Sequence, residues 1–98
     1  MAVVKKTEKE NGVVECLIDS SNILLSEYDK PKKTLKIIFK AGTQYLYKEV
    51  LERDYVRFEV SESQGSVFNK TMRKYDFEKL DKIDTTELLE QIKEQKGD

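Results

Sequence analysis

The stretch Leu35-Lys36-Ile37-Ile38-Phe39-Lys40 does most to limit what this chain can fold into. Leu35, Ile37 and Phe39 alternate with Lys36, Ile38 and Lys40, the period-two pattern of a strand with one apolar face. Ala41-Gly42-Thr43 turns the chain, and Gln44 to Val50 returns as a second strand. The two make a hairpin, and hairpins chain naturally into an antiparallel meander.

The flanks extend this pattern. Residues 1–12 end in Glu10-Asn11-Gly12 and read as a polar lead-in. Val13 to Ile18 is a short β-rich run, followed by the turn formers Asp19-Ser20-Ser21-Asn22. Ile23 to Tyr28 is again extended until Pro31, the chain's single proline, interrupts it. After the hairpin the period changes. Leu51, Tyr55 and Phe58, widened by Val56 and Val60, predict a helix over 52–62. Ser63-Gln64-Gly65-Ser66 breaks it, with Gly65 suited to a left-handed helix end. Val67, Phe68, Met72 and Tyr75 predict a second, shorter helix. Asp84-Thr85-Thr86-Glu87 is a capping pattern opening a tail helix to about Lys96, with Leu88, Leu89 and Ile92 as its narrow apolar stripe. The expected fold class is α+β: a small antiparallel β-meander with helices on one face, plus a C-terminal amphipathic helix. The expected divisions are 1–12, a body over 13–80, and an acidic helical tail over 81–98. Because a helix of about a dozen residues is marginal alone in water, the tail is expected to be a docking or oligomer element rather than part of the main core.

Composition removes several functions. The 98 residues include no histidine, so Ser-His and Cys-His nucleophile pairs and imidazole metal ligands are absent. The one cysteine, Cys16, rules out an intramolecular disulfide and a thiolate cluster; inside Val13-Val14-Glu15-Cys16-Leu17-Ile18 it reads as a small buried hydrophobe. No metal and no cofactor is expected. The longest apolar runs are far short of a membrane span, and the first residues lack the apolar stretch of a secretory signal. The expectation is a cytoplasmic protein with no membrane partner. Residues 1–75 carry 14 basic and 11 acidic side chains, whereas residues 76–98 carry 4 and 8. A mildly basic body with an acidic tail argues against long duplex DNA as a partner.

Ser20-Ser21-Asn22-Ile23, Tyr28-Asp29, and then Leu35-x-Ile37-x-Phe39-x-x-Gly42-x-x-Tyr45-x-Tyr47-x-x-Val50 form an ordered set. Ser63-x-Gly65-x-x-Phe68-Asn69-x-x-x-Arg73-x-Tyr75 follows it. Together they resemble the KTSC domain, named for the C-terminus of some lysyl-tRNA synthetases and centred on Tyr-x-Tyr. The resemblance covers about residues 17–80. One departure is Leu51, where the family usually has proline. The resemblance implies little chemistry: the domain has no established general activity, RNA binding has been suggested for it, and similar proteins stand alone in bacteria and their phages.

Loop length decides where Tyr45 and Tyr47 point. A two-residue loop at Ala41-Gly42 pairs Ile38 with Tyr45 and puts both tyrosines beside Lys36, Ile38 and Lys40, an aromatic and basic platform for bases and phosphates. A three-residue loop sets Phe39 opposite Tyr45 and Ile37 opposite Tyr47, and the tyrosines then join the helix-covered core. Ser21 and its neighbours either donate to a phosphate or cap a turn. The amides after Gly65 either form an anion nest at a helix start or an ordinary helix corner. Lys70, Arg73 and Lys74 share a face on a continuous helix and form the densest cationic cluster, or are plain surface charge. Lys30, Lys32 and Lys33 belong to a solvated loop. Candidate ligand residues are therefore Ser21, Lys36, Tyr45, Tyr47, Gly65, Asn69, Lys70 and Arg73.

The expected function is a non-catalytic binding module for a nucleotide-type ligand, short RNA or small nucleotide. Two alternatives stand beside it: a phage-type oligomeric sponge that sequesters a nucleotide immune signal, and a protein-binding adaptor working through the tail helix. A homo-oligomer built through that helix is among the expected partners and fits the sponge, whereas the adaptor is expected as a monomer.

Overall fold

The structure is a computed structural model that describes residues 3–61 and 64–95, without the side chains of Gln64, Gly65, Ser66, Asn69 and Arg73. Six strands run β1 (Val3–Glu8), β2 (Val13–Ile18), β3 (Ile23–Asp29), β4 (Thr34–Phe39), β5 (Gln44–Tyr47) and β6 (Phe77–Leu80). They form one antiparallel sheet in the order of the sequence, β1 to β6. Helices α1 (Glu52–Val60) and α2 (Gln64–Thr71) and a 3₁₀ turn (Met72–Lys74) connect β5 to β6, and α3 (Thr86–Gln95) follows. The α+β meander expected from the alternating pattern is present.

The residues thought to be a polar lead-in form β1. An edge strand is held by backbone hydrogen bonds on one side and needs no regular side-chain alternation. A register shift between Val3 and Lys5 accompanies this irregular pattern, with Val3 on one sheet face and Val4 on the other. A similar shift between Ile23 and Leu25 explains the run Ile23-Leu24-Leu25: Ile23 enters one core, Leu24 and Leu25 the other, and all three are buried.

The sheet is covered on both faces, not one. On the front, Val14, Cys16, Ile18, Ile23, Tyr28, Leu35, Ile37 and Tyr47 meet Tyr55 and Phe58 of α1, with Met72, Val67 and Phe68 beside them. The Tyr28 and Tyr55 rings stack with centroids 4.4 Å apart, and the Tyr28 hydroxyl donates to the Val50 carbonyl at 2.7 Å. Each such large side chain taken out of water contributes about 1.5–3 kcal/mol. On the back, Leu17, Leu24, Leu25 and Ile38 are covered by Ile92 and Leu88 of α3. The tail helix thus docks on its own sheet. Asp84 Oδ1 caps it, accepting from the Thr86 amide at 2.9 Å and the Thr86 hydroxyl at 2.7 Å. The expected continuation to Lys96 and the Gly beyond lies outside the described residues.

Gly42 shows why the turn between β4 and β5 needs glycine. Its φ is +94°, and an added Cβ would lie 2.3 Å from the Ile83 carbonyl oxygen. The Gly42 carbonyl in turn accepts the Ile83 amide at 3.0 Å.

Candidate functional site

The Tyr-x-Tyr strand, β5, lies between β4 and the edge strand β6. Ile37 opposes Tyr45 and Leu35 opposes Tyr47, with Phe39 bonded to Thr43 across a loop of Lys40, Ala41 and Gly42. This register differs from both alternatives, but its parity is that of the three-residue loop. The tyrosines therefore share the front face with Leu35, Ile37 and Phe39, because side chains directly opposite in a ladder lie on one face.

There they enter an aromatic cluster. Tyr45 contacts Phe39 at 5.6 Å and Phe77 at 5.0 Å between ring centroids, both edge to face. Tyr47 contacts Phe68 at 5.4 Å and Phe77 at 5.4 Å, and Phe68 reaches Phe39 at 5.7 Å. These spacings suit the quadrupoles of the rings. The cluster is graded in depth: Tyr47 is 7% exposed, Tyr45, Phe39 and Phe68 are half-buried, and Phe77 is 55% exposed. Burial pushes the Tyr47 phenol up, so it stays protonated at neutral pH. Lys79 opposes Tyr45 in the ladder and is exposed on the same face. The outcome is an aromatic edge with a cation at its side, made by β5 and β6 rather than by β4 and β5.

The other expected ligand residues are dispersed. Lys36 lies on the back face, opposite Leu46, with its Nζ 3.9 Å from Glu27, so the platform of Lys36, Ile38 and Lys40 with the tyrosines does not form. Ser21 is exposed in the turn between β2 and β3, where the neighbouring Ser20 hydroxyl accepts the Asn22 amide at 3.4 Å. Gly65 is in the first turn of α2, not at a left-handed end of α1; α1 stops at Ser61, whose backbone is extended at φ −67° and ψ 147°. Lys70 is exposed in the last turn of α2. The helix tightens to 3₁₀ geometry at Met72, so Lys70, Arg73 and Lys74 do not share a continuous α-helical face. Lys74 turns inward to Asp54 at 2.9 Å. The side chains of Asn69 and Arg73 lie outside the described ones.

Two polar clusters were not anticipated. In the first, the Tyr75 hydroxyl donates to Asp54, which is 3% exposed, and accepts the Leu51 amide at 3.1 Å. Tyr75 and then Lys74 hold the Asp54 carboxyl below the usual carboxylate range. In the second, Cys16 Sγ lies 3.6 Å from the Tyr55 hydroxyl, which donates to Glu59 at 2.9 Å, and Glu59 receives Lys6 Nζ at 3.1 Å. Cys16 is fully buried as expected, and desolvation raises its thiol, as it raises the Tyr55 phenol. Both groups are protonated at neutral pH and serve to fasten α1 to β1 and β2. Among the described residues, no group of three acidic or cysteine side chains is placed to hold a metal. No helix among them is long and apolar enough to cross a membrane.

A six-stranded antiparallel meander with helices on both faces, its paired tyrosines packed beside Phe68 of α2, defines a small α+β domain. The KTSC domain family model matches residues 19–77. The chain belongs to the KTSC domain family. Among solved structures it is similar to a KTSC domain protein from Yersinia pestis, with a TM-score of 0.66 and 28% identity over 70% of this chain and 99% of that one. No curated protein matches it. The family's motif residues here are largely architectural: Gly42 permits the close turn, Tyr47 fills the core, and Tyr75 ties the 3₁₀ turn to the start of α1.

Proposed function

We propose that this chain is a non-catalytic cytoplasmic module that binds a nucleotide-type ligand, short RNA or small nucleotide, at the edge formed by β5 and β6. The observation that carries the reading is Phe77: a ring 55% exposed, backed by Tyr45 and Tyr47 and flanked by Lys79. A base stacks on an exposed aromatic face whatever its sequence, and a neighbouring ammonium meets its phosphate. Lys70 at the end of α2 and Arg73 in the turn after it are the further cations proposed for that phosphate. Lys36 has no part, lying on the opposite face, and Ser21 stays with the turn between β2 and β3, outside the β5–β6 edge.

The sponge alternative uses this same site and adds an assembly. The adaptor alternative has less support, since Leu88 and Ile92, the apolar stripe it would present, face the sheet. Calorimetric titration with mononucleotides, dinucleotides and short oligoribonucleotides tests the reading. Phe77→Ala is expected to weaken binding by about 1–3 kcal/mol, the worth of one stacked base, with little change in melting. Arg73→Ala is expected to weaken it by a similar amount, through loss of a charge-assisted contact. Absence of binding by every one of these ligands at millimolar concentration overturns it.

A further inference from the structure

The outer surfaces of α1 and α3 carry matched, opposite patterns. On α1, Tyr55 and Phe58 face the core, and Arg53, Val56, Arg57 and Val60 follow the i, i+3, i+4, i+7 spacing of the opposite face. All four are exposed, with Val56 at 45% and Val60 at 54%. Neither arginine forms an ion pair among the described residues. On α3, Ile92 and Leu88 face the sheet, and Glu87, Glu90 and Glu94 line the outer side beside the exposed Leu89. These carboxylates also lack ion pairs among the described residues, and Lys93 is the one cation among them.

We propose that the α1 stripe of one copy docks on the α3 stripe of another. Arg53 and Arg57 are four residues apart, as are Glu90 and Glu94, so each pair spans one helical turn and the two can meet in register. Val56 lies between the arginines along the helix and Val60 just beyond Arg57, and the two supply the apolar contact, with Leu89 as the corresponding residue on the partner. The occupant is a second copy because the complementary charge is displayed by this chain itself. Since α1 and α3 lie on opposite faces of the sheet, the contact is head to tail. It therefore propagates into a ring or an open chain instead of closing as a dimer. This inference is independent of the ligand site.

Light scattering of the full chain over a concentration series is expected to show species larger than a dimer, shrinking as salt is raised. Arg53→Glu with Arg57→Glu, and separately Glu90→Lys with Glu94→Lys, are each expected to weaken association at least about tenfold, as two surface pairs turn repulsive. Each variant then has two like-charged stripes, so an equimolar mixture of the two restores assembly. Val56→Ser with Val60→Ser, both at exposed positions, checks the apolar contribution if either charge variant fails to fold, and is likewise expected to weaken association. A parent that stays monomeric at millimolar concentration overturns the proposal. So does a closed dimer indifferent to these changes, or folded charge variants whose mixture stays monomeric. A monomeric parent that binds anionic lipid vesicles or an acidic protein through Arg53 and Arg57 also overturns it and assigns the stripe to that partner.

Discussion

A single hydroxyl, that of Tyr75, ties the segment after α2 to the start of α1, beside the ion pair of Lys74 with Asp54. It accepts the amide of Leu51, the residue before α1, and donates to Asp54 in the helix's first turn. Removing it in Tyr75→Phe is expected to cost about 1–3 kcal/mol in urea denaturation, because a buried carboxylate and an amide both lose a partner. The same contact sets a pH dependence. Asp54 is held below its ordinary range, so its ionised form stabilises the fold at and above the unfolded carboxylate value near pH 4. That contribution is lost as pH falls through the depressed folded value. Parent protein should lose stability on acidification more steeply than Asp54→Asn, as read by melting temperature between pH 2 and 5. Ser26 offers a contrasting case: its buried hydroxyl has no nitrogen or oxygen partner among the described residues and meets the Cys16 thiol across the β2–β3 ladder. Ser26→Ala is expected to raise stability by about 1 kcal/mol, and a drop of that size would show the hydroxyl to be paired. The place of the tyrosines was only half legible. Alternation along Leu35, Ile37 and Phe39 shows a core face, but which tyrosine face joins it depends on loop parity, which Ala41-Gly42-Thr43 does not declare. Leu51, read as a departure, has φ −69°, a value proline also takes, and spends the amide that proline lacks on Tyr75.

At the level of elements, the legible ones were those with a strong period and a half-buried face, β2 to β5 and α1. β1 and β6 escaped because edge strands carry little apolar pattern: Val3-Val4 is the only apolar pair in β1, and Phe77-Glu78-Lys79-Leu80 is four residues with no clean alternation. The cap and stripe of α3 were readable, but not its destination, since a helix face does not name the surface it will cover. That destination is testable. Ile92 is 6% exposed against Leu17, Leu24, Leu25 and Ile38, and Ile92→Ala is expected to destabilise by about 2–4 kcal/mol in a denaturant titration. A helix that merely solubilises the chain would give no shift. Gly42→Ala is expected to lower the melting temperature by several degrees, for its Cβ meets backbone and the turn must move. The candidate site was missed for a related reason: Phe77 and Lys79 belong to a strand that becomes visible only when it pairs with β5.

At the scale of the molecule, each strand pairs with its neighbour in the sequence, and two cores share the sheet between them. Amide exchange should therefore be slowest in β3 and β4, the two central strands of the sheet, and fastest in the edge strands β1 and β6; equal protection across all six would contradict this layering. The connectivity also dictates a sequence of events during synthesis. Hairpins β1 to β5 need only local contacts and close early, yet the helix that covers Leu17, Leu24 and Leu25 is the last described element to be made. While the ribosome still holds that helix in its tunnel, a nascent sheet stands with one greasy side open. In this interval, more than in the finished protein, the chain is most prone to sticking to its neighbours on a polysome.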